Sequence, residues 1–162
     1  MKVNFEEYKR VEILIDEKEN IAIFSRGQLD NIKPDDDFRG FMVNVPVELK
    51  TPYTANELAN AIEYAMSEEI KEPYFLYDQR INKTYEEVYY GIKGFNKVMK
   101  GKKKIEIGWN DRWGKYASLD LPDKRGYSYT GVKLLCLDDN ADWIDFAESV
   151  ITLVKYDPKN DK

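Results

Sequence analysis

The sequence predicts an α+β fold in which a mostly antiparallel, twisted sheet carries two main amphipathic helices. Three observations point there. Short apolar runs of strand length recur between turn-forming residues. Two stretches carry apolar residues at helical spacing behind capping residues. An order of strand, polar loop, strand and helix occurs once in each half of the chain.

Residues Val11 to Asp16 alternate around Ile13 and Ile15, with Leu14 as the exception, and Ile21 to Phe24 is a second apolar run. The polar Asp16-Glu17-Lys18-Glu19-Asn20 between them makes a β-hairpin. Gly27 to Arg39 is a polar loop holding Pro34 and the consecutive Asp35, Asp36 and Asp37. Phe41 to Val47 resumes a strand, which Pro46 marks as an edge or a strand end. Thr54 and Glu57 form a capping box, and Leu58, Ala61, Ile62, Ala65 and Met66 give one apolar face, so a helix spans Thr54 to Ser67.

The middle is less regular. Pro73 precedes the aromatic run Tyr74-Phe75-Leu76-Tyr77, Thr84 to Tyr90 reads equally as a short helix or a strand, and Phe95 to Lys100 reads as a short helix ended by Gly101. Ile105 to Trp109 and Lys115 to Leu121 are strands joined by a turn at 110–114. Val132 to Leu137 is almost continuously apolar, which predicts a central strand covered on both faces. The last helix is expected to begin near Asp139 or Asn140, with Trp143, Ala147, Val150, Ile151 and Val154 on its buried face. Asp138, Asp139 and Asp142 suit the positive end of that helix. The segments Ile21 to Met66 and Ile105 to Val154 share an order of elements, which suggests pseudo-duplicated halves (about 11–68 and 103–156) within a single domain spanning 1–162.

Composition narrows the functional classes. The 162 residues carry 25 basic and 30 acidic side chains, a net charge of −5, which gives no global attraction to nucleic acid or to anionic membranes and suits a basic protein partner. No stretch has the apolar length of a membrane span, the first residues lack the apolar core of a signal peptide, and one cysteine allows no intrachain disulfide. A reducing, cytoplasmic setting follows as the expectation.

Histidine is absent. That removes the commonest general base and metal ligand, and with them Ser-His-Asp, Cys-His and zinc sites. Cys136, between Leu135 and Leu137, reads as a small buried hydrophobe. The aspartate clusters lack EF-hand spacing and read as turns and a helix cap. Gly91-Ile92-Lys93-Gly94 matches the bare GxxG of a KH loop, but acidic neighbours Glu86 and Glu87 oppose RNA binding there. The run Lys100-Gly101-Lys102-Lys103-Lys104 reads as a solvated approach to a strand. Trp109, Trp113 and Tyr116 flank a tight turn, so not all can point inward, and Trp and Tyr are efficient interface anchors. No catalytic, cofactor or metal site is expected, and the chain is read as a non-enzyme.

Several segments together resemble a family: Arg39-Gly40-Phe41, the Thr54–Glu57–Leu58–Ala61–Ile62 helix, Lys83-Thr84-Tyr85-Glu86-Glu87-Val88-Tyr89-Tyr90-Gly91-Ile92-Lys93-Gly94-Phe95, the Ile105–Trp109 strand, and the strand entered at Gly131 with its following helix. The pattern, over about residues 10–155, is similar to that of the immunity proteins of bacterial contact-dependent growth inhibition (CDI) systems, CdiI type. Phe95 stands where that family often carries Trp. The resemblance implies a cytoplasmic, non-enzymatic protein that binds the C-terminal toxin domain of a sibling cell's effector, in many cases a nuclease. Because a nuclease site is basic, an acidic inhibitor can mimic its substrate's charge. The resemblance supplies no transferable contact residues. On chemistry alone, the expected toxin interface comprises Asp35, Asp36, Asp37, Asp138, Asp139 and Asp142 for a basic cleft, with Trp113 and Tyr116 as anchors. An adaptor or regulator of another kind, also acting by protein binding, is the alternative.

Overall fold

The alternation of Val11, Ile13 and Ile15 sends all three side chains to one face of a strand, where they are buried. Leu14 breaks that alternation because the opposite face is covered as well. It packs with Ala22, Phe24, Val98 and Met99 in a second, smaller core. A single out-of-phase leucine thus encodes a sheet sandwiched locally between helices.

The computed structural model describes residues 3–4, 10–29, 41–66, 85–110, 112–122 and 129–160. Along the chain these form β1 (Val3–Asn4), β2 (Arg10–Ile15), β3 (Ile21–Leu29), β4 (Phe41–Leu49), α1 (Ala55–Ala65), α2 (Tyr85–Tyr90), α3 (Phe95–Met99), β5 (Lys103–Asn110), β6 (Gly114–Pro122), β7 (Tyr129–Cys136) and α4 (Trp143–Val154), followed by a short 3-10 turn at Pro158–Asn160. Every strand pair is antiparallel, in the order β4-β3-β2-β5-β6-β7, and β1 pairs with the far end of β3 through Val3↔Leu29. The α+β fold expected from the sequence is the fold observed.

Local chemistry sets the connections. Between β2 and β3 the Asp16 carboxylate accepts the N–H groups of Lys18 and Asn20, each at 2.9 Å, and Glu19 takes the left-handed turn at φ 66°. At the start of α1, Thr54 Oγ1 accepts the Glu57 N–H at 3.1 Å while Glu57 Oε2 accepts the Thr54 N–H at 3.2 Å. Such a box contributes about 1 kcal/mol.

The main core lies between one sheet face and the pair α1 and α4, which pack on each other. Ile13, Ile23 and Ile105 from the sheet meet Leu58, Ile62 and Val150 from the helices, all fully buried. Each such side chain contributes roughly 1.5–3 kcal/mol. On the other face α2 and α3 cover β2 and β3, and Phe24 meets Tyr89 edge-on at 5.4 Å. The two halves share one topology: β2–β3–β4–α1 and β5–β6–β7–α4 are each a meander followed by a helix. They join through the β2–β5 ladder, where Ile13 faces Ile105.

Several expectations are corrected. The apolar run Val132 to Leu137 falls on β7 and the residue after it, and β7 pairs among the described residues with β6 alone, so it is an edge strand and not a central one. Its continuous hydrophobicity has a different cause: Leu135 and Leu137 pack on the main core, while Leu134 and Cys136 face the other side and are exposed. Cys136 is therefore not a buried hydrophobe. The last helix starts at Trp143 with Asp142 as its N-cap, a few residues later than expected, because Asp138 first folds a turn by accepting the Asn140 N–H at 2.9 Å. Thr84 to Tyr90 resolves as the helix α2, with Thr84 outside the described residues. Strand β3 runs on to Leu29, into the segment read as loop. Pro46 sits where the β3–β4 register shifts between Ile23 and Ser25, a place in the ladder that tolerates a missing donor.

Candidate protein-binding site

The turn between β5 and β6 and the loop between β7 and α4 come together at one end of the sheet. Lys115 Nζ donates to the Ala141 carbonyl at 2.6 Å, and the Leu137 N–H donates to the Lys115 carbonyl at 2.8 Å. The Asp139 carboxylate lies beside Gly114, where a Cβ would make an ordinary contact with its Oδ1 at 3.5 Å. Gly114 itself takes φ 61°, a conformation that favours glycine. These ties gather Trp113, Asp138, Asp139 and Asp142, which the sequence placed in two separate segments.

Trp113 is 40% exposed, its ring edge-on to Tyr116 at 5.5 Å and the Arg112 guanidinium 5.3 Å from its centre. A large aromatic held this way keeps one rotamer while presenting area to solvent, as an anchor requires. Tyr116 does not share that role. It is 2% exposed, and its hydroxyl donates to Glu106 Oε1 at 2.7 Å. It supports Trp113 from below. Trp109 points inward and packs against the core beside Trp143.

Asp142 accepts the N–H groups of Ile144 and Asp145 at 3.2 and 3.3 Å, and Asp145 returns the bond by accepting the Asp142 N–H at 3.0 Å. Asp138, Asp139 and Asp142 remain exposed at the positive end of α4. From Asp138 an open groove of about 480 Å³ runs between β7 and α4, floored by Leu135 and Leu137 and rimmed by Asp145, Glu148 and Thr152. Asp145 and Glu148 were not among the residues expected from the sequence. Their spacing of three residues from Asp142 and from each other is the signal that places them on one polar helix face. Asp35, Asp36 and Asp37 lie outside the described residues.

On the sheet face opposite α1 and α4, β2, β5 and β6 carry a charged network. Glu12 and Glu106 are register partners, a like-charge pairing that needs compensation. Arg10 Nε lies 3.0 Å from Glu106 Oε1, and Lys104 Nζ lies 3.6 Å from Glu12 Oε1. Burial, with the Glu106 hydrogen bond and charge adding to it, pushes the Tyr116 hydroxyl pKa up. Burial also raises the carboxyl pKa of Asp120; Lys104 opposes the shift, and Glu106 and Glu12 reinforce it. These groups answer one another and explain why charged residues stand in strand interiors.

The remaining motifs are structurally engaged. In the GxxG segment the Gly94 N–H donates to Glu87 Oε2 at 3.0 Å, so that amide already has an anionic partner. Of the lysine run read as a solvated approach to the strand, Lys100 is exposed, but the three lysines after Gly101 are engaged. Lys102 donates to the Val98 carbonyl, Lys103 donates to the Val154 carbonyl at the end of α4 at 2.6 Å, and Lys104 pairs with Glu12. Among the described residues no group of three or more carboxylates and thiols is placed to hold a metal ion, and no helix is long and apolar enough to cross a membrane.

Comparison of the chain with protein-family models, with curated proteins and with solved structures finds no match.

Proposed function

We propose that this chain acts by binding a basic protein partner, and that the partner is the toxin domain of a CDI effector which it neutralises in the producing cell. The observation that carries this reading is the juxtaposition of exposed Trp113 with the exposed carboxylates Asp138, Asp139 and Asp142 on a braced end of the sheet. An aromatic anchor supplies buried area on association, and the carboxylates beside it supply steering toward positive charge. The groove that runs from Asp138 along α4 adds the carboxylates of Asp145 and Glu148 on the helix side of the sheet. The chain's net charge of −5 adds a long-range field of the same sign.

The immunity assignment rests on the sequence pattern described above, and the binding surface supplies a physical means for it. A nuclease toxin holds its phosphate substrate with basic groups, and an acidic surface can occupy that cleft in the substrate's place. Co-expression with the toxin domain encoded immediately upstream tests it. Restored growth together with a complex on gel filtration is the expected result. Growth arrest with no complex would overturn it.

A further inference from the structure

The free edge of β7 is the other notable surface, and three observations bear on it. The first is hydrogen bonding. Because the Leu137 N–H donates to Lys115, the alternation of an antiparallel ladder turns the N–H and C=O of Leu135 toward β6. The same alternation turns those of Leu134 and Cys136 outward, away from the sheet. Among the described residues no strand pairs there.

The second is where that edge is left open: a register shift near Asp120 and the charged Lys133 guard the first part of β7, and the stretch beyond them is exposed. Proteins guard such edges with prolines, inward charges or covering elements. Here the outward residues are Leu134, 39% exposed, and Cys136, also exposed. The third is charge. The groove alongside, between β7 and α4, has an apolar floor of Leu135 and Leu137 under the carboxylates of Asp145 and Glu148.

We infer that the β7 edge receives an extended segment of the basic partner as an added strand, a deepening that rests on the protein-binding reading above. Side chains of an added strand alternate between faces. Those on the α4 side enter the groove and meet Asp145 and Glu148, so basic residues fit there. Those on the other side lie over Leu134 and Cys136, so apolar residues fit there. The recognised segment therefore alternates basic and apolar residues, and main-chain hydrogen bonds to Leu134 and Cys136 hold it. A second copy of this chain fits poorly. Pairing β7 with β7 across a two-fold axis normal to the sheet sets the two α4 helices side by side on one face, with their acidic sides facing each other.

The test uses the full chain and a short peptide alternating lysine and valine, with a glutamate–valine peptide as control. Binding is followed by fluorescence anisotropy, and amide exchange by NMR. The lysine peptide is expected to bind and to slow exchange at Leu134 and Cys136, and the glutamate peptide to do neither. Glu148→Lys, at an exposed position, should weaken binding about threefold or more at low salt. Leu134→Pro removes an outward donor without touching the ladder to β6, and should abolish the exchange protection at Cys136. Binding that ignores both substitutions, exchange protection elsewhere, or a dimer of the unliganded chain in sedimentation would each overturn the inference. If the toxin domain forms a complex that leaves Leu134 and Cys136 unprotected, the edge proposal fails while the protein-binding reading stands. If no toxin complex forms but the peptide results hold, the reverse is true.

Discussion

Lys115 spans the gap between the first residues of β6 and the loop that precedes α4, donating its ammonium to the Ala141 carbonyl at 2.6 Å. With the Leu137 N–H that donates to the Lys115 carbonyl, this bond links the turn that carries Trp113 to the loop that carries Asp138 and Asp139. Replacing Lys115 with Met keeps the apolar stem and removes the donor. A charged donor on a carbonyl contributes about 1.5 kcal/mol or more, so urea denaturation should show a loss of that order. Amide exchange should quicken first at residues 138–142, because their brace is the part removed.

Trp113→Ala separates binding from folding. The ring is 40% exposed, with Tyr116 and Arg112 among its contacts, so the fold should lose less than about 1.5 kcal/mol. An anchor of this kind contributes about 2 kcal/mol or more to an interface. Affinity for the toxin domain, measured by calorimetry, should fall by roughly thirtyfold or more while the thermal midpoint moves little.

Tyr116→Phe should behave in the opposite way. The ring stays, but Glu106 loses a hydrogen bond of 2.7 Å in a part-buried setting. A loss of about 1.5 kcal/mol in stability is expected, with a small change in affinity because the hydroxyl does not reach the surface. The folded chain also holds the Tyr116 proton more tightly than the unfolded chain does. Above the ordinary tyrosine pKa of 10.0 the unfolded state deprotonates first, so stability falls with rising pH there, and Tyr116→Phe should flatten that alkaline limb.

Asp120 gives the acid counterpart. Its pKa is raised in the fold above the ordinary 3.8, with burial as the main cause. Between 3.8 and the raised value the native state binds more protons than the unfolded state, so this group makes stability rise as pH falls through that window. Asp120→Asn should remove that component and raise the neutral-pH midpoint in thermal melts. A steeper acid-side rise in the variant would contradict the assignment.

Much of the architecture was legible because it rests on periodicity. Ile13 and Ile15 alternated, Thr54 and Glu57 announced a cap, and Trp143 to Val154 carried a helical stripe. The failures share a cause, which is that a strand's hydrophobicity reports what covers each face and not its place in the sheet. Leu134 and Cys136 looked central for that reason, although it is Val132, Leu135 and Leu137 that pack on the core. At the site, the sequence identified Trp113, Asp138, Asp139 and Asp142 but not their proximity, which depends on Lys115 reaching Ala141. Tyr116 was misjudged because its partner, Glu106, lies on the neighbouring strand at a register no local pattern reveals.

The most direct test of the central claim is the association rate with the toxin domain as a function of salt, for the native chain and for Asp138→Asn/Asp139→Asn. An electrostatically steered encounter falls steeply with ionic strength. The native chain should show that fall, and the double variant should associate several-fold more slowly at low salt with a shallower slope. Equal rates and equal slopes for the two proteins would contradict the assignment of this acidic, Trp113-anchored surface to partner binding.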